Sequence, residues 1–176
     1  MKILITGAQG SGKTTQANIL AERLGFSLIK LGDLLREFAQ GDGEENKRIA
    51  EELSKGDLVD DAVAARLIKK RFENSTEEKG SVTDGYPRRM HQMELFDPHY
   101  DKVFNLVIDD QVGVKRLLAR GRGDDTPEAI EKRLSWYHQE TEPVLEHYKR
   151  EGILVEVDGE KSIEEVTNDI LAHLKV

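Results

Sequence analysis

The octapeptide Gly7-Ala8-Gln9-Gly10-Ser11-Gly12-Lys13-Thr14 constrains this chain more than any other segment. It fits the pattern G-x-x-x-x-G-K-[ST]. An apolar run, Lys2 to Thr6, precedes it. A helical pattern follows, with Ala17, Leu20, Ala21 and Leu24 at i, i+3, i+4 and i+7 and Gly25 as the stop. A strand, a glycine-rich turn and a helix in that order make a phosphate cradle. The glycines let successive N–H groups turn inward, and the helix N-terminus adds partial positive charge. In this motif Lys13 reaches the β- and γ-phosphates, and Thr14 has the position usual for a Mg²⁺ ligand. The motif alone leaves GTPases, ATPases, kinases and motors open.

The rest of the chain extends the same architecture. Further strands are predicted at Ser27 to Lys30, Ser81 to Asp84, Lys102 to Ile108 and Ile153 to Val157. The nearly continuous apolar run at 104–108 suits a strand buried on both faces. Helical patterns recur at Val63, Leu67 and Ile68, at Val114, Leu117 and Leu118, and from Ile163 to Leu174. Strands alternating with helices predict an α/β fold, a five-stranded parallel sheet with helices on both faces. Two segments break the alternation. Residues 31–59 read as a helical insert, with Gly41-Asp42-Gly43 and Gly56-Asp57 as turns, and 120–128 as a compact Gly/Asp/Arg segment. The remainder, 1–30, 60–119 and 129–176, is the predicted core of one domain.

Composition narrows the partners. The net charge is −8 and there is no cysteine, which excludes disulfides, thiolate zinc and a bulk electrostatic nucleic-acid binder. No apolar run approaches the ~20 residues of a membrane span. Met1 leads straight into the first strand without a secretory pattern, so a cytoplasmic, monomeric protein with no structural zinc is expected. Against the acidic background, Arg36, Arg88, Arg120, Arg122 and Arg133 all stand at segment ends that can share one side of such a sheet. Ligands of open α/β sheets bind outside the carboxyl ends of the strands. Converging cations there suit dense phosphate charge. None of the five histidines has metal-ligand spacing, and Trp136 and Tyr137 read as packing residues.

Several blocks together carry a family resemblance. They are Gly10-Ser-Gly-Lys13 with Thr15-Gln16, Gly32-Asp-Leu-Leu-Arg36, Gly56-Asp-Leu-Val59, Asp84-Gly-Tyr-Pro-Arg88 with Gln92, Arg116-Leu-Leu-Ala-Arg120, Gly121-Arg-Gly-Asp-Asp125 and Arg133. Nearly end to end, the chain resembles the adenylate kinase family of nucleoside monophosphate kinases in its short-lid form. The resemblance implies a P-loop fold in which 31–59 binds the monophosphate and 120–128 is the lid. It implies Mg²⁺-dependent transfer from ATP to AMP, giving two ADP. On the ATP side it implies Gly10, Ser11, Gly12, Lys13, Thr14 and Thr15, with Arg116 stacked on the base and Lys161 in the loop beside it. On the AMP side it implies Leu31, Gly32, Arg36, Asp57, Val59, Gly85 and Arg88, with Gln92 reading the base. Lys13, Arg88, Arg120, Arg122 and Arg133 surround the moving phosphoryl group, and Asp84 holds Mg²⁺ through water. Asp124 and Asp125 orient the lid arginines or cap the next helix. The Tyr86-Pro87 bond is implied to be cis.

Three departures from the family pattern stand out. Leu31 replaces the usual threonine, which removes a hydroxyl near the acceptor base and leaves apolar surface. Thr14 replaces the common glycine, so either Thr14 or Thr15 meets the metal. Only Gly121 separates Arg120 from Arg122, an unusually short lid. Two alternatives therefore stay open. One is a broad-specificity or pyrimidine monophosphate kinase, and the other is a P-loop regulatory protein with little turnover.

Overall fold

The computed structural model describes residues 1–74, 79–121, 123 and 125–174. Five strands, β1 (Lys2–Gly7), β2 (Ser27–Lys30), β3 (Ser81–Asp84), β4 (Lys102–Val107) and β5 (Leu154–Asp158), form one sheet in the order β2-β3-β1-β4-β5. Every neighbouring pair is parallel. The predicted strands are all present, with ends shifted by a residue at most.

Nine α-helices are described. They are α1 (Lys13–Leu24), α2 (Leu31–Phe38), α3 (Glu44–Ser54), α4 (Asp61–Glu73), α5 (Met90–Leu95), α6 (Asp110–Arg120), α7 (Pro127–Trp136), α8 (Glu142–Arg150) and α9 (Ile163–Leu174). Their ends follow from local chemistry. The Asp60 carboxylate accepts the Ala62 and Val63 N–H groups to start α4, and Asp109 accepts that of Gln111 to start α6. Gly25 and Gly121 close α1 and α6 in the left-handed region. A π-helical turn, Tyr137–Thr141, joins α7 to α8.

Alternate residues of β1 go to opposite faces, and both faces are covered. Ile3 and Ile5 pack with Leu20, Phe104, Val166 and Ile170 beneath α1 and α9. Leu4 packs with Met93, Tyr100, Val103, Val144 and Tyr148 on the other side. Each such buried Leu or Ile contributes roughly 1.5–3 kcal/mol. A third cluster joins Leu31, Leu35 and Ile49 of α2 and α3 to Val63, Ile68 and Tyr86. The segment 31–59 is thus tied to α4 by apolar packing. Connections from β1 run to one side of the sheet and the β3–β4 crossover runs to the other. The chain therefore reverses direction beside β1, and the β1–α1 turn opens at that crevice. Among the described residues, no helix is long and apolar enough to cross a membrane.

Candidate active site

The glycine-rich turn keeps its shape through close backbone approach. Gly10 has φ +84°, and a Cβ there would sit 2.5 Å from the Gly113 carbonyl oxygen. The turn therefore rests directly on α6, where Gly113 in turn leaves no room for a Cβ against the Gln9 carbonyl, 2.7 Å away. Lys13 opens α1, and its ammonium donates to the Ala8 carbonyl at 3.1 Å. Thr14 donates to Asp84 at the end of β3, Oγ1 to Oδ2, at 2.5 Å. Burial pulls the Lys13 pKa from 10.5 to about 8. Asp84 opposes that shift, and Arg88, Arg120 and Arg133 reinforce it.

Two clefts meet at this point. One, of about 420 Å³, is lined by Gly10, Ser11, Gly12, Lys13, Thr14, Thr15, Arg116 and Lys161 among others. All eight residues expected on the ATP side are there. Arg116 fastens its guanidinium to the Gly10 and Gly159 carbonyls at 3.3 and 3.0 Å, bridging the turn to the loop after β5. Lys161 pairs with Asp169 at 2.7 Å. The other cleft, of about 130 Å³, is bordered by Gly32, Arg36, Asp57, Asp84, Arg88 and Arg133. Lys13, Thr14 and Arg120 line both clefts.

Several of the cations here are matched by acids. Arg36 donates to Asp33 at 2.6 Å, and Lys30 pairs with the same carboxylate at 2.6 Å. Lys132 meets Asp57 at 2.5 Å. Burial raises the Asp33 carboxyl, but hydrogen bonds from Lys30 and Arg36 outweigh it and hold the pKa below its ordinary value. Asp125 is fully buried and accepts two hydrogen bonds from Arg120, at 2.8 and 2.9 Å, and one from Arg133 at 3.2 Å. The cap of α7 is Thr126, whose hydroxyl accepts the Ala129 N–H, with Pro127 as the first helical residue. Asp125 therefore orients arginines, and the capping alternative falls to its neighbour. Asp33 likewise is no cap, because α2 begins after Lys30 with no side-chain cap. Arg122 and Asp124 lie outside the described residues.

Arg88 is set by the loop after β3. Its Nε donates to the Gly85 carbonyl at 3.0 Å, and its N–H donates to Gln92 Oε1 at 2.8 Å. Gly85 has φ +78°, a conformation that side chains rarely adopt. The Tyr86-Pro87 peptide is cis. Burial lowers the Arg88 pKa, as do Arg133 and Arg36, while Asp84 raises it.

Three expected acceptor-side residues are placed differently. The Leu31 side chain is 1% exposed and belongs to the α2–α4 apolar cluster. It turns away from the cleft because Lys30, the preceding residue, takes the cleft-facing position. The apolar surface expected of Leu31 comes instead from Leu35, Leu53 and Leu58, which line the cleft. Val59 is buried in the same cluster, and its neighbours Gly56, Asp57 and Leu58 line the cleft in its place. Gln92 is buried with both ends engaged, Oε1 by Arg88 and Nε2 by Asp61 Oδ1 at 2.9 Å. Its carboxamide supports Arg88 before it can read any base. Trp136 and Tyr137, expected as packing, also border this cleft, as do Gln9 and Thr141. Gln9 comes with the phosphate turn, but nothing in the local sequence marks the other three, since their place depends on how α7 and the turn after it meet the β3 loop.

Two phosphate-bearing molecules can approach Lys13 from opposite sides, which is the arrangement of a P-loop phosphotransferase acting between nucleotides. Comparison with known proteins makes the class specific. The profile described as adenylate kinase matches residues 5–153. The chain is 37% identical to the adenylate kinase of Pseudarthrobacter chlorophenolicus over 185 residues, covering 99% of this chain and 96% of that protein. It is 35% identical to that of Nocardia farcinica over 181 residues, 99% of each. It is 36% identical to that of Trichodesmium erythraeum over 182 residues, 97% of this chain and 95% of that one. This chain belongs to the adenylate kinase family.

Proposed function

We infer that the chain moves the terminal phosphoryl group of ATP to AMP, forming two ADP, with ATP in the larger cleft and AMP in the smaller. The observation that carries this reading is the sharing of Lys13, Thr14 and Arg120 by the two clefts. A group held by these side chains is in reach of both occupants.

The ATP polyphosphate lies along the N–H groups of Gly10 to Thr15, and Arg116 borders its base. The AMP phosphate lies against Arg36 and Arg88. An AMP phosphate oxygen then attacks the γ-phosphorus in line, and the bond to the β–γ bridging oxygen breaks. The attacking oxygen is already anionic, so no general base is needed. The work of the protein is to bring two anions to near-attack distance and offset their repulsion. Lys13, Arg120 and Arg133 do this at the moving group, and the resemblance adds Arg122. Thr14 and Asp84 present hard oxygen donors side by side, a set that suits Mg²⁺. They would hold it, Asp84 through water, and it would supply further charge neutralisation on the polyphosphate.

The smaller cleft is below the ~300 Å³ of ordinary small-molecule sites. AMP entry therefore has to part its walls, with phosphate taking over cations now held by Asp33 and Asp125. A coupled assay with ATP and each of AMP, CMP, UMP, dCMP and GMP tests the reading. ADP formation stimulated most by AMP is expected. Nucleotide binding without AMP-stimulated ADP formation would overturn it, and preference for CMP or UMP would move the acceptor assignment to pyrimidines.

A further inference from the structure

The helix that begins at Pro127 runs on to Arg150, but it is not α-helical throughout. Pro143 has no N–H to give the carbonyl four residues back. Just before it the chain adopts the wider π spacing, and the Glu142 N–H goes to the Tyr137 carbonyl, five residues back. Such turns gather at functional sites. Thr141 ends this one. It is 5% exposed and lines the smaller cleft. A threonine inside a helix usually turns its hydroxyl onto its own helix, to the carbonyl four residues back. The Thr141 hydroxyl instead leaves the helix and donates to the Arg88 carbonyl, 53 positions away, at 3.1 Å.

That bond has a mechanical meaning for Arg88. Its Nε is tied to Gly85 in its own loop and its N–H to Gln92 of α5, which is bonded in turn to Asp61 of α4. Thr141 ties the same residue to a different element. The guanidinium is drawn by Asp84 and pushed by Lys13, Arg36 and Arg133. Anchored on the α4–α5 side alone, the loop can yield to that push as a unit. A loop pinned at a carbonyl to a 24-residue helical rod cannot.

We propose that Thr141, presented by the π turn, is a positioning residue that holds Arg88 for the acceptor phosphate and so sets affinity for the monophosphate but not for ATP. The proposal rests on Arg88 binding the acceptor, as inferred above. The single tryptophan, Trp136, borders the same cleft and gives a direct binding signal. The test measures KM for AMP and for ATP, kcat, and AMP binding by Trp136 fluorescence, in Thr141→Val and Thr141→Ser.

Thr141→Val keeps the shape and removes the donor. It is expected to weaken AMP by about five- to tenfold in both KM and binding, the scale of one hydrogen bond. KM for ATP should stay within about twofold of wild type, and Thr141→Ser should restore AMP affinity on the same scale. If Thr141→Val fails to fold, Thr141→Cys takes its place with the same expectations, since Cys is a small hydrophobe with only a weak donor. Unchanged AMP affinity, equal weakening of AMP and ATP, or no rescue by serine would each overturn the proposal. Arg88→Ala separates the two levels. If that variant binds AMP as well as wild type, the acceptor assignment of Arg88 fails. If it loses AMP while Thr141→Val does not, only the role of Thr141 fails.

Discussion

Lys13 is needed for phosphate yet disfavoured by its surroundings, and Lys13→Met separates the two effects. In the nucleotide-free protein the ammonium is partly buried among Arg88, Arg120 and Arg133, and its pKa falls from 10.5 to about 8. At 1.36 kcal/mol per pH unit, that gap is about 3 kcal/mol of folding stability forgone at neutral pH. Methionine has a similar stem and no charge, but it also loses the bond to the Ala8 carbonyl, worth about 1 kcal/mol net. Lys13→Met is therefore expected to be about 2 kcal/mol more stable than wild type at pH 7. Its phosphoryl transfer should fall about a thousandfold, because the moving group loses its central cation.

The pH dependence gives the reasoning a second check. Between about pH 8 and 10.5 the unfolded chain keeps the Lys13 proton and the folded chain has released it. At this group the unfolded state then binds more protons, so the Lys13 contribution to stability rises with pH across this window. From pH 7 to 9.5 the rise attributable to Lys13 is about 2 kcal/mol, and Lys13→Met should lack it. The hydroxyls of Tyr86, Tyr100, Tyr137 and Tyr148 are pushed upward by burial, and their effect is common to both proteins. Urea unfolding followed by circular dichroism, without nucleotide, at both pH values measures the difference. A variant less stable than wild type at pH 7, or one gaining as much as wild type by pH 9.5, would refute the argument.

Three other outcomes are expected. kcat/KM for ATP should decline above about pH 8 as free-enzyme Lys13 deprotonates, and kcat should hold to higher pH because bound polyphosphate favours the ammonium; pH–rate profiles show both limbs. Arg88→Ala should weaken AMP more than ATP in steady-state kinetics, and equal loss for both would contradict its place on the acceptor side. Gly113→Ala should drive a methyl against the Gln9 carbonyl, 2.7 Å from the new carbon, at a cost of about 1–3 kcal/mol. Denaturant unfolding together with a raised KM for ATP would show that cost reaching the phosphate turn.

The fold was legible because its signals are local. Gly7 to Thr14 carries a complete strand–turn–helix junction in eight residues, and the later strands are short apolar runs that a parallel sheet requires. The cations of the site were legible by type and by their position at segment ends. What each touches was not. Asp124 and Asp125 are the cap candidates by sequence, yet the cap is Thr126, because Arg120 and Arg133 claim Asp125. Leu31 has the wrong chemistry for a base-reading threonine, but the alternation of Ile29, Lys30 and Leu31 about the end of β2 sends it inward, to the core. Trp136 and Thr141 carry no local mark because they reach the cleft only through the packing of the α7–α8 rod against the β3 loop.

Those pairings also explain how an acidic chain presents a phosphate site. A cluster of cations without partners would repel itself and unfold the arms that carry it. Here Asp33 holds Arg36 and Lys30, Asp57 holds Lys132, and Asp125 holds Arg120 and Arg133. Each carboxylate stands where a substrate phosphate would otherwise be needed for charge balance. Binding is then an exchange of one oxygen acid for another, and its free energy is a difference between two charge-assisted sets of hydrogen bonds. The net charge of −8 is not an obstacle to such a site. It includes the carboxylates that keep the arginines ordered between turnovers, and weakening those acids should loosen the arms before it tightens the substrate.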